Sequence, residues 1–165
     1  NDISAGEIDD AMFSTIAELN VPYIIMHMKG TPKNMQKNPS YNDVTKEIVS
    51  YFREKISKLN KLGFYKIIID PGFGFGKTIQ HNYQLLNNLN DLTHLKLPIL
   101  IGVSRKSMIY NLLGTTPQKA LNCTSIINTI ALQNGANILR VHDVKEAYEC
   151  IKITTFAKKN CKWNS

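Results

Sequence analysis

Four short apolar runs, separated by longer stretches with helical spacing, constrain the fold of this chain more than any other feature. The runs are rich in Ile, Val and Leu and are continuous rather than alternating, which is typical of parallel strands covered on both faces. We predict strands at Val21–Met28, Lys66–Asp70, Pro98–Ser104 and Asn137–Asp143. We predict helices at Glu7–Leu19, Asn42–Leu62, Pro117–Asn134 and Val144–Lys159, with one more between the second and third strands. The alternation indicates an α/β fold with a parallel sheet, and residues 1–165 are predicted to form a single domain.

The composition argues against several classes of protein. No window approaches the roughly 20 apolar residues that cross a bilayer, and the start of the chain does not resemble a signal peptide. Cys123, Cys150 and Cys161 are widely spaced, which disfavours a disulfide framework or a zinc site and favours a reducing cytoplasm. The net charge of +7 comes from dispersed Lys residues without an aromatic ladder, so nucleic acid is not expected as a partner. We assign this charge to solvated helix faces and, in part, to contact with a small anionic substrate.

Polar residues gather where each predicted strand ends and its loop begins. His27 follows the first apolar run, Asp70 ends the second, and Arg140 lies near the end of the fourth. Asn1-Asp2 opens the chain in the same style, as though it were the end of another strand. Because α/β folds bind ligands at the carboxyl ends of parallel strands, this convergence predicts a ligand site there.

The most informative stretch runs from Asp70 to Lys77 and reads D-P-G-F-G-F-G-K. It is not a Walker A loop, because three residues rather than four separate Gly72 from the Gly76-Lys77 pair. It does not match the dinucleotide fingerprint either. The alternative to a binding loop is a flexible strand-to-helix turn, but a carboxylate that ends a buried strand must find a partner.

Two further segments carry positive charge at strand ends. Arg105 and Lys106 lie beside the start of a predicted helix, where cations oppose the helix dipole unless an anionic or carbonyl-bearing ligand is present. Exposed basic loop residues are the alternative. Arg140 and His142 point the same way from an alternating strand, which suits phosphate binding, although a structural salt bridge would also account for such a pair.

Taken together and in order, these segments resemble the dihydropteroate synthases. The resemblance rests on N-D-I-S-A-G at the start, M-H-M-K-G-T-P from Met26, D-P-G-F-G-F-G-K, S-R-K-S from Ser104 and R-V-H-D-V from Arg140. It extends from Asn1 to about Phe156. It implies a transferase of folate biosynthesis that condenses 6-hydroxymethyl-7,8-dihydropterin pyrophosphate with p-aminobenzoate. The implied fold is the C-terminal half of a TIM (β/α)8 barrel, with four complete parallel strands alternating with helices.

The resemblance also assigns roles to residues of this chain. Asn1, Asp70 and Lys106 would hydrogen-bond the edge of the pterin ring, Met26 would pack against it, and Arg140 would lie on its face. Arg140 and His142 would hold the pyrophosphate. Phe75 and Ser107 would border the p-aminobenzoate site, with the helix that starts near Ser107 receiving the carboxylate. The expected catalytic residues are Asp70, Lys106, Arg140 and His142.

Other implications concern cofactor, partners and completeness. Mg²⁺ is the implied cofactor, a homodimer through the last helices is the implied assembly, and the partners are small molecules rather than nucleic acid or membrane. No metal ligand is expected in this chain, because the family's Asn near the metal belongs to a first strand that is absent here. Two mobile loops and an Asp of the third strand are absent as well. We therefore expect the chain to be a fragment of a longer protein, since a half barrel leaves two sheet edges unpaired.

Two rival functions share parts of this pattern. A pterin-binding methyl-transfer domain would share the barrel and a pterin-facing Asn and Asp, but it should lack S-R-K-S and the p-aminobenzoate pocket. A half barrel kept as a dimerising or interaction module would form a stable oligomer with no pterin affinity. Nucleic-acid binding is the least favoured function.

Overall fold

The computed structural model describes residues 1–160, and Cys161 therefore lies outside the described residues. Six α-helices and four strands alternate along this part of the chain, with short 3₁₀ segments at Leu89–Leu95 and Pro117–Lys119. The strands are β1 (Tyr23–Met26), β2 (Ile67–Asp70), β3 (Leu100–Ile101) and β4 (Ile138–Leu139). The helices are α1 (Met12–Leu19), α2 (Val44–Lys61), α3 (Ile79–Asn87), α4 (Ser107–Tyr110), α5 (Leu121–Gln133) and α6 (Val144–Asn160).

All strand pairing is parallel, which confirms the predicted α/β class. Strand β1 pairs with β2 from Tyr23↔Ile67 to Met26↔Asp70, and β3 pairs with β4 at Leu100↔Ile138 and Ile101↔Leu139. Single parallel bridges extend this pattern, joining Asp2 to Ile25 and Ile69 to Ile99. The carboxyl ends of the strands therefore follow one another in chain order along one edge, as the sequence predicted.

The prediction of four complete strands is not confirmed, because the described sheets are two small pairs and β3 and β4 are only two residues long. Pro98 has no N–H to donate, and the Ile99 N–H is taken by the side chain of Asn137 at 2.9 Å. At the other end of β3 the chain turns at once, with the Lys106 N–H bonded to the Val103 carbonyl. Residues 99–104 are all buried, but the regular strand is limited to Leu100–Ile101.

The first helix begins at Met12 rather than at Glu7. The carboxylate of Asp2 accepts hydrogen bonds from the N–H groups of Ser4 (2.8 Å) and Gly6 (2.7 Å), which folds residues 2–6 into a turn. A second turn follows at Asp9, whose Oδ1 accepts from the Ala11 N–H at 2.9 Å and whose carbonyl accepts from the Met12 N–H at 3.1 Å, so the regular helix starts only after it. The polar start of the chain is thus a structured loop beside β1.

Helix α2 closely matches its prediction of Asn42–Leu62. Asp43 caps it, its side chain accepting from the N–H groups of Thr45 and Lys46 at 3.1 and 3.0 Å. Ile48 and Phe52 are fully buried on its inner face. Burying each such side chain stabilises the fold by roughly 1.5–3 kcal/mol, and this face fixes the helix against the parallel strands.

The core lies between the strands and the covering helices, and it reaches the edge where the strands end. Among its fully buried side chains are Tyr23, Ile69, Phe73 and Leu89. Phe73 belongs to the glycine-rich segment, so one side of that segment is anchored in the core. Within residues 1–160, no helix combines the length and apolar character that crossing a membrane requires.

Candidate functional site

Asp70 is the centre of the polar cluster at the strand ends. It closes β2 and is only 1% exposed, yet both oxygens are satisfied. Oδ1 accepts from the Gly72 N–H at 2.8 Å, and Oδ2 lies 2.7 Å from Nη2 of Arg140. The sequence predicted that this buried carboxylate has a partner, and the structure shows that the partner is Arg140, which follows β4. The salt bridge considered as the alternative for Arg140 does form, but it lies inside the candidate site.

Gly102 makes room for the guanidinium group of Arg140. A Cβ atom at position 102 would lie 2.8 Å from Nη2 and 3.1 Å from Nε of Arg140. The guanidinium group of Arg140 therefore fits against the backbone at position 102 only because glycine has no side chain. Sequence reasoning missed Gly102, although a glycine inside a strand pattern is a recognised signal of close approach.

Lys106 connects the loop after β3 to the glycine-rich segment. Its Nζ donates to the Phe73 carbonyl at 2.5 Å and lies 4.9 Å from the centroid of the Phe75 ring. Burial lowers the pKa of Lys106 to about 8, despite the opposing attraction of Asp70. The site thus contains a largely buried ammonium group that interacts electrostatically with Asp70 and Arg140.

The other cation of this loop, Arg105, is already neutralised. Its Nε and Nη2 reach Oδ2 and Oδ1 of Asp143 at 2.9 and 2.7 Å, a bidentate ion pair that joins the loops after β3 and β4. Hydrogen bonding to Arg105 lowers the pKa of Asp143. The argument that both cations require an anionic ligand is therefore wrong for Arg105. It still applies to Lys106.

The glycine-rich segment after β2 forms a tight turn rather than a flexible one. Gly72, Gly74 and Gly76 all have positive φ, at 69°, 80° and 63°. At Gly72 a Cβ atom would lie 1.9 Å from the main-chain oxygen of His27, so only glycine fits. Phe75 is half-buried on this turn, on the side that faces Lys106.

The remaining predicted site residues differ in how far they are buried. Asn1 is exposed at the start of the chain, and Met26 is buried at the end of β1. His142 is exposed, with Nδ1 2.9 Å from the Ser104 hydroxyl. Ser107 is exposed and begins α4, which has only four residues. Because so short a helix has a small dipole, the expected support for a carboxylate there reduces to the loop's N–H groups.

Within the described part of the chain, no group of three or more His, Cys, Asp or Glu side chains could hold a metal ion. Asp70 and Asp143 are each committed to an arginine. The donor set that faces the strand ends is cationic, which suits an anion and does not suit Mg²⁺.

Parallel strands whose carboxyl ends carry a buried carboxylate, an arginine and a lysine define an α/β protein with a ligand site at one sheet edge. The family described as pterin binding enzymes matches residues 1–142, and the chain belongs to it. The resemblance to dihydropteroate synthases is confirmed by relatives of that name. The dihydropteroate synthase of Escherichia coli strain K12 is 46% identical over 149 residues, covering 87% of this chain and 53% of that protein.

Solved structures agree with this assignment. A Yersinia pestis dihydropteroate synthase in complex with a sulfonamide drug aligns with a TM-score of 0.92 and 41% identity, covering 96% of this chain and 58% of that one. A Xanthomonas albilineans dihydropteroate synthase with 4-aminobenzoic acid aligns with a TM-score of 0.86 and 35% identity, covering 96% of this chain and 56% of that one. The chain therefore spans a little more than half the length of the relatives it matches.

Proposed function

We propose that the complete protein is a dihydropteroate synthase, which condenses 6-hydroxymethyl-7,8-dihydropterin pyrophosphate with p-aminobenzoate. The products are 7,8-dihydropteroate and pyrophosphate. One observation carries the proposal: Asp70, Arg140 and Lys106 meet at the strand ends of a chain that is 46% identical to a protein of this name. Each of these residues belongs to a motif on which the resemblance rests.

The pterin would bind where the carboxylate and the two cations meet. Asp70 offers acceptor oxygens to the amino and N–H donors of the ring, and Lys106 and Asn1 would bond the same edge. Met26, buried at the end of β1, would pack against the ring. Arg140 would lie on its flat face, a contact suited to a planar guanidinium group. The Arg140–Asp70 bond supports this arrangement because it already brings the cation to the carboxylate.

The other two groups would bind on either side of the pterin. Phe75 and Ser107 would border p-aminobenzoate, one on the glycine turn and one at the start of α4. Arg140 and His142 would hold the pyrophosphate. In the reaction the bond from the exocyclic methylene carbon to the pyrophosphate oxygen breaks, and the arylamine nitrogen forms the new bond to carbon and loses a proton. The protein would act by positioning the reactants and by stabilising the charge on the leaving group.

Mg²⁺ belongs to the proposal as a companion of the pyrophosphate. Because the cationic strand ends do not suit a metal, its protein ligands would lie outside this chain. We derive no step of the reaction through it. A dependence of pyrophosphate release on added Mg²⁺, abolished by a chelator, is the expected behaviour of the complete protein.

Fold and assembly complete the proposal. We propose that residues 1–165 are a single domain forming the C-terminal half of a (β/α)8 barrel, which the TM-score of 0.92 over 96% of the chain supports. We propose a homodimer through the last helices, where Ile126 of α5 and Ile153 and Phe156 of α6 are exposed. We propose a cytoplasmic location, which suits the free thiols of Cys123 and Cys150.

The test is an assay of p-aminobenzoate-dependent pyrophosphate release by the complete protein and its Asp70→Asn variant. Activity that collapses in the variant supports the synthase and places Asp70 at the pterin. A folded protein that binds the pterin but releases no pyrophosphate would favour a methyl-transfer domain. A stable oligomer with no pterin affinity would favour an interaction module.

A further inference from the structure

The carbonyl groups of the glycine turn, residues 72–76, are held by side chains of other residues. Each of the five carbonyls from Gly72 to Gly76 accepts a hydrogen bond from a lysine, a glutamine or a tyrosine. Lys77 binds those of Gly72 and Phe75, Lys106 that of Phe73, Gln36 that of Gly74 and Tyr41 that of Gly76. Lys77 alone holds two of them.

Lys77 is a buried cation that the pterin chemistry does not use. It is 4% exposed, and its three donors are all engaged: the carbonyls of Gly72 (2.9 Å) and Phe75 (3.1 Å) and Nδ1 of His27 (3.0 Å). Burial lowers the pKa of Lys77 to about 7. None of its bonded partners is a carboxylate. Burying this amine costs free energy, and its three hydrogen bonds to the turn and to His27 offset that cost.

The imidazole of His27 is the third partner of this ammonium group. Burial lowers the pKa of His27 far below its usual range, so the ring is neutral. Because Nδ1 accepts from Lys77, the ring proton lies on Nε2. The ring is fixed by an edge-to-face contact with Tyr51, 4.9 Å between centroids. Lys77 therefore ties the turn to the end of β1.

We propose that Lys77 is a positioning residue that fixes the glycine turn and thereby places the Phe75 ring at the p-aminobenzoate site. This inference rests on the proposed function. Asp70 accepts one hydrogen bond from the turn, from the Gly72 N–H, but it is also anchored outside the turn, by its pairing with Met26 and by Arg140. Loss of the Lys77 bonds should therefore disturb the p-aminobenzoate side of the site much more than the pterin side. That asymmetry separates positioning from a general loss of stability.

The test compares Lys77→Met with Lys55→Met in the complete protein. Methionine keeps most of the length of the side chain and removes all three donors. Lys55 is a matched control, since it is also buried, at 6% exposure, but its ammonium binds Glu7 at 2.9 Å and does not contact the turn. Lys77→Gln, which keeps an amide donor, serves if the methionine variant does not fold.

For Lys77→Met we expect the KM for p-aminobenzoate to rise about tenfold, which corresponds to about 1.4 kcal/mol. The Kd of the pterin pyrophosphate should change less than about threefold. Amide hydrogen exchange measured on a peptide covering residues 71–77 should become at least about tenfold faster than in the wild type. Lys55→Met should lose thermal stability and change none of these three quantities.

Two results would overturn the inference. One is an equal loss of affinity for both substrates, and the other is unchanged exchange in the turn of Lys77→Met. Failure of the proposed function is distinguishable from both, because a folded wild-type protein would then release no pyrophosphate. In that case the exchange measurement alone decides whether Lys77 fixes the turn.

Discussion

Replacing Gly102 with alanine should weaken pterin binding indirectly, because the added methyl group would contact Arg140 and not the pterin. The new Cβ would lie 2.8 Å from Nη2 of Arg140, whereas an unstrained contact needs about 3.5 Å. The backbone at Gly102 does not require glycine, since its φ is outside the positive region. The guanidinium group is the far end of a flexible side chain. It should therefore move away from the new Cβ atom, and the strand should keep its shape.

The magnitude follows from the bond that this withdrawal breaks. Arg140 and Asp70 are 2.7 Å apart, and a retreat of roughly 0.7 Å takes the pair beyond good hydrogen-bond distance. A hydrogen bond to a charged group contributes about 1.5–3 kcal/mol. Because the Arg140 side chain is 42% exposed, we discount this to about 1.4 kcal/mol, or about tenfold in pterin affinity.

Isothermal titration calorimetry with the pterin pyrophosphate measures this change in the complete protein. The matched control is Gly63→Ala, at a position with φ of 73° and no atom within 4 Å of the added Cβ. That variant should lose about 1 kcal/mol of stability through backbone strain and keep its affinity. If Gly102→Ala binds the pterin as tightly as the wild type, the reasoning about Arg140 is wrong.

Three further perturbations test other parts of the site. The pKa of Lys106 is lowered to about 8, and only the protonated side chain carries a positive charge. Pyrophosphate release should therefore fall as the pH rises through about 8, and Lys106→Arg should move that fall to higher pH. A rate–pH profile of both proteins checks this. Gly72→Ala places a Cβ 1.9 Å from the His27 oxygen and should cost about 3 kcal/mol or more in urea unfolding; a smaller loss would show that the turn yields. Asp143→Asn should release Arg105 and, because Arg105 is two residues before Ser107, raise the KM for p-aminobenzoate several-fold with little change in melting temperature. An unchanged KM would contradict a role of the Arg105–Asp143 ion pair in positioning this loop.

Much of the site was predictable because its rules are local. A carboxylate at the end of a buried strand must be paired, and Asp70 is paired. Arg140 was predicted near the end of the fourth strand, and it directly follows β4. These inferences needed only strand order and the direction of the chain, both of which the apolar runs of the sequence carry.

The remaining features depend on contacts between distant segments. The run Pro98–Ser104 was predicted as a buried strand, and it is buried from Ile99 onward although Pro98 is exposed. The sequence does not show which of its N–H groups find partners, and only Leu100–Ile101 form a strand. Lys77 looks like a solvated lysine until His27, far away in the chain, is brought beside it. Gly102 acquires its meaning only from Arg140. No periodicity or motif could have revealed these pairs.

Several side chains bind the glycine turn together, so substitutions among them should not be independent of one another in evolution. Gln36 and Tyr41 each hold one carbonyl of the turn, and Asn82 holds the Gly74 N–H at 2.7 Å. Changes at these positions are far apart in the gene but converge on the same few peptide groups. A single change leaves the other bonds in place, whereas a second change removes what was compensating for the first. Substitutions at these positions should therefore rarely occur together, and a double variant should be more impaired than its two single variants combined.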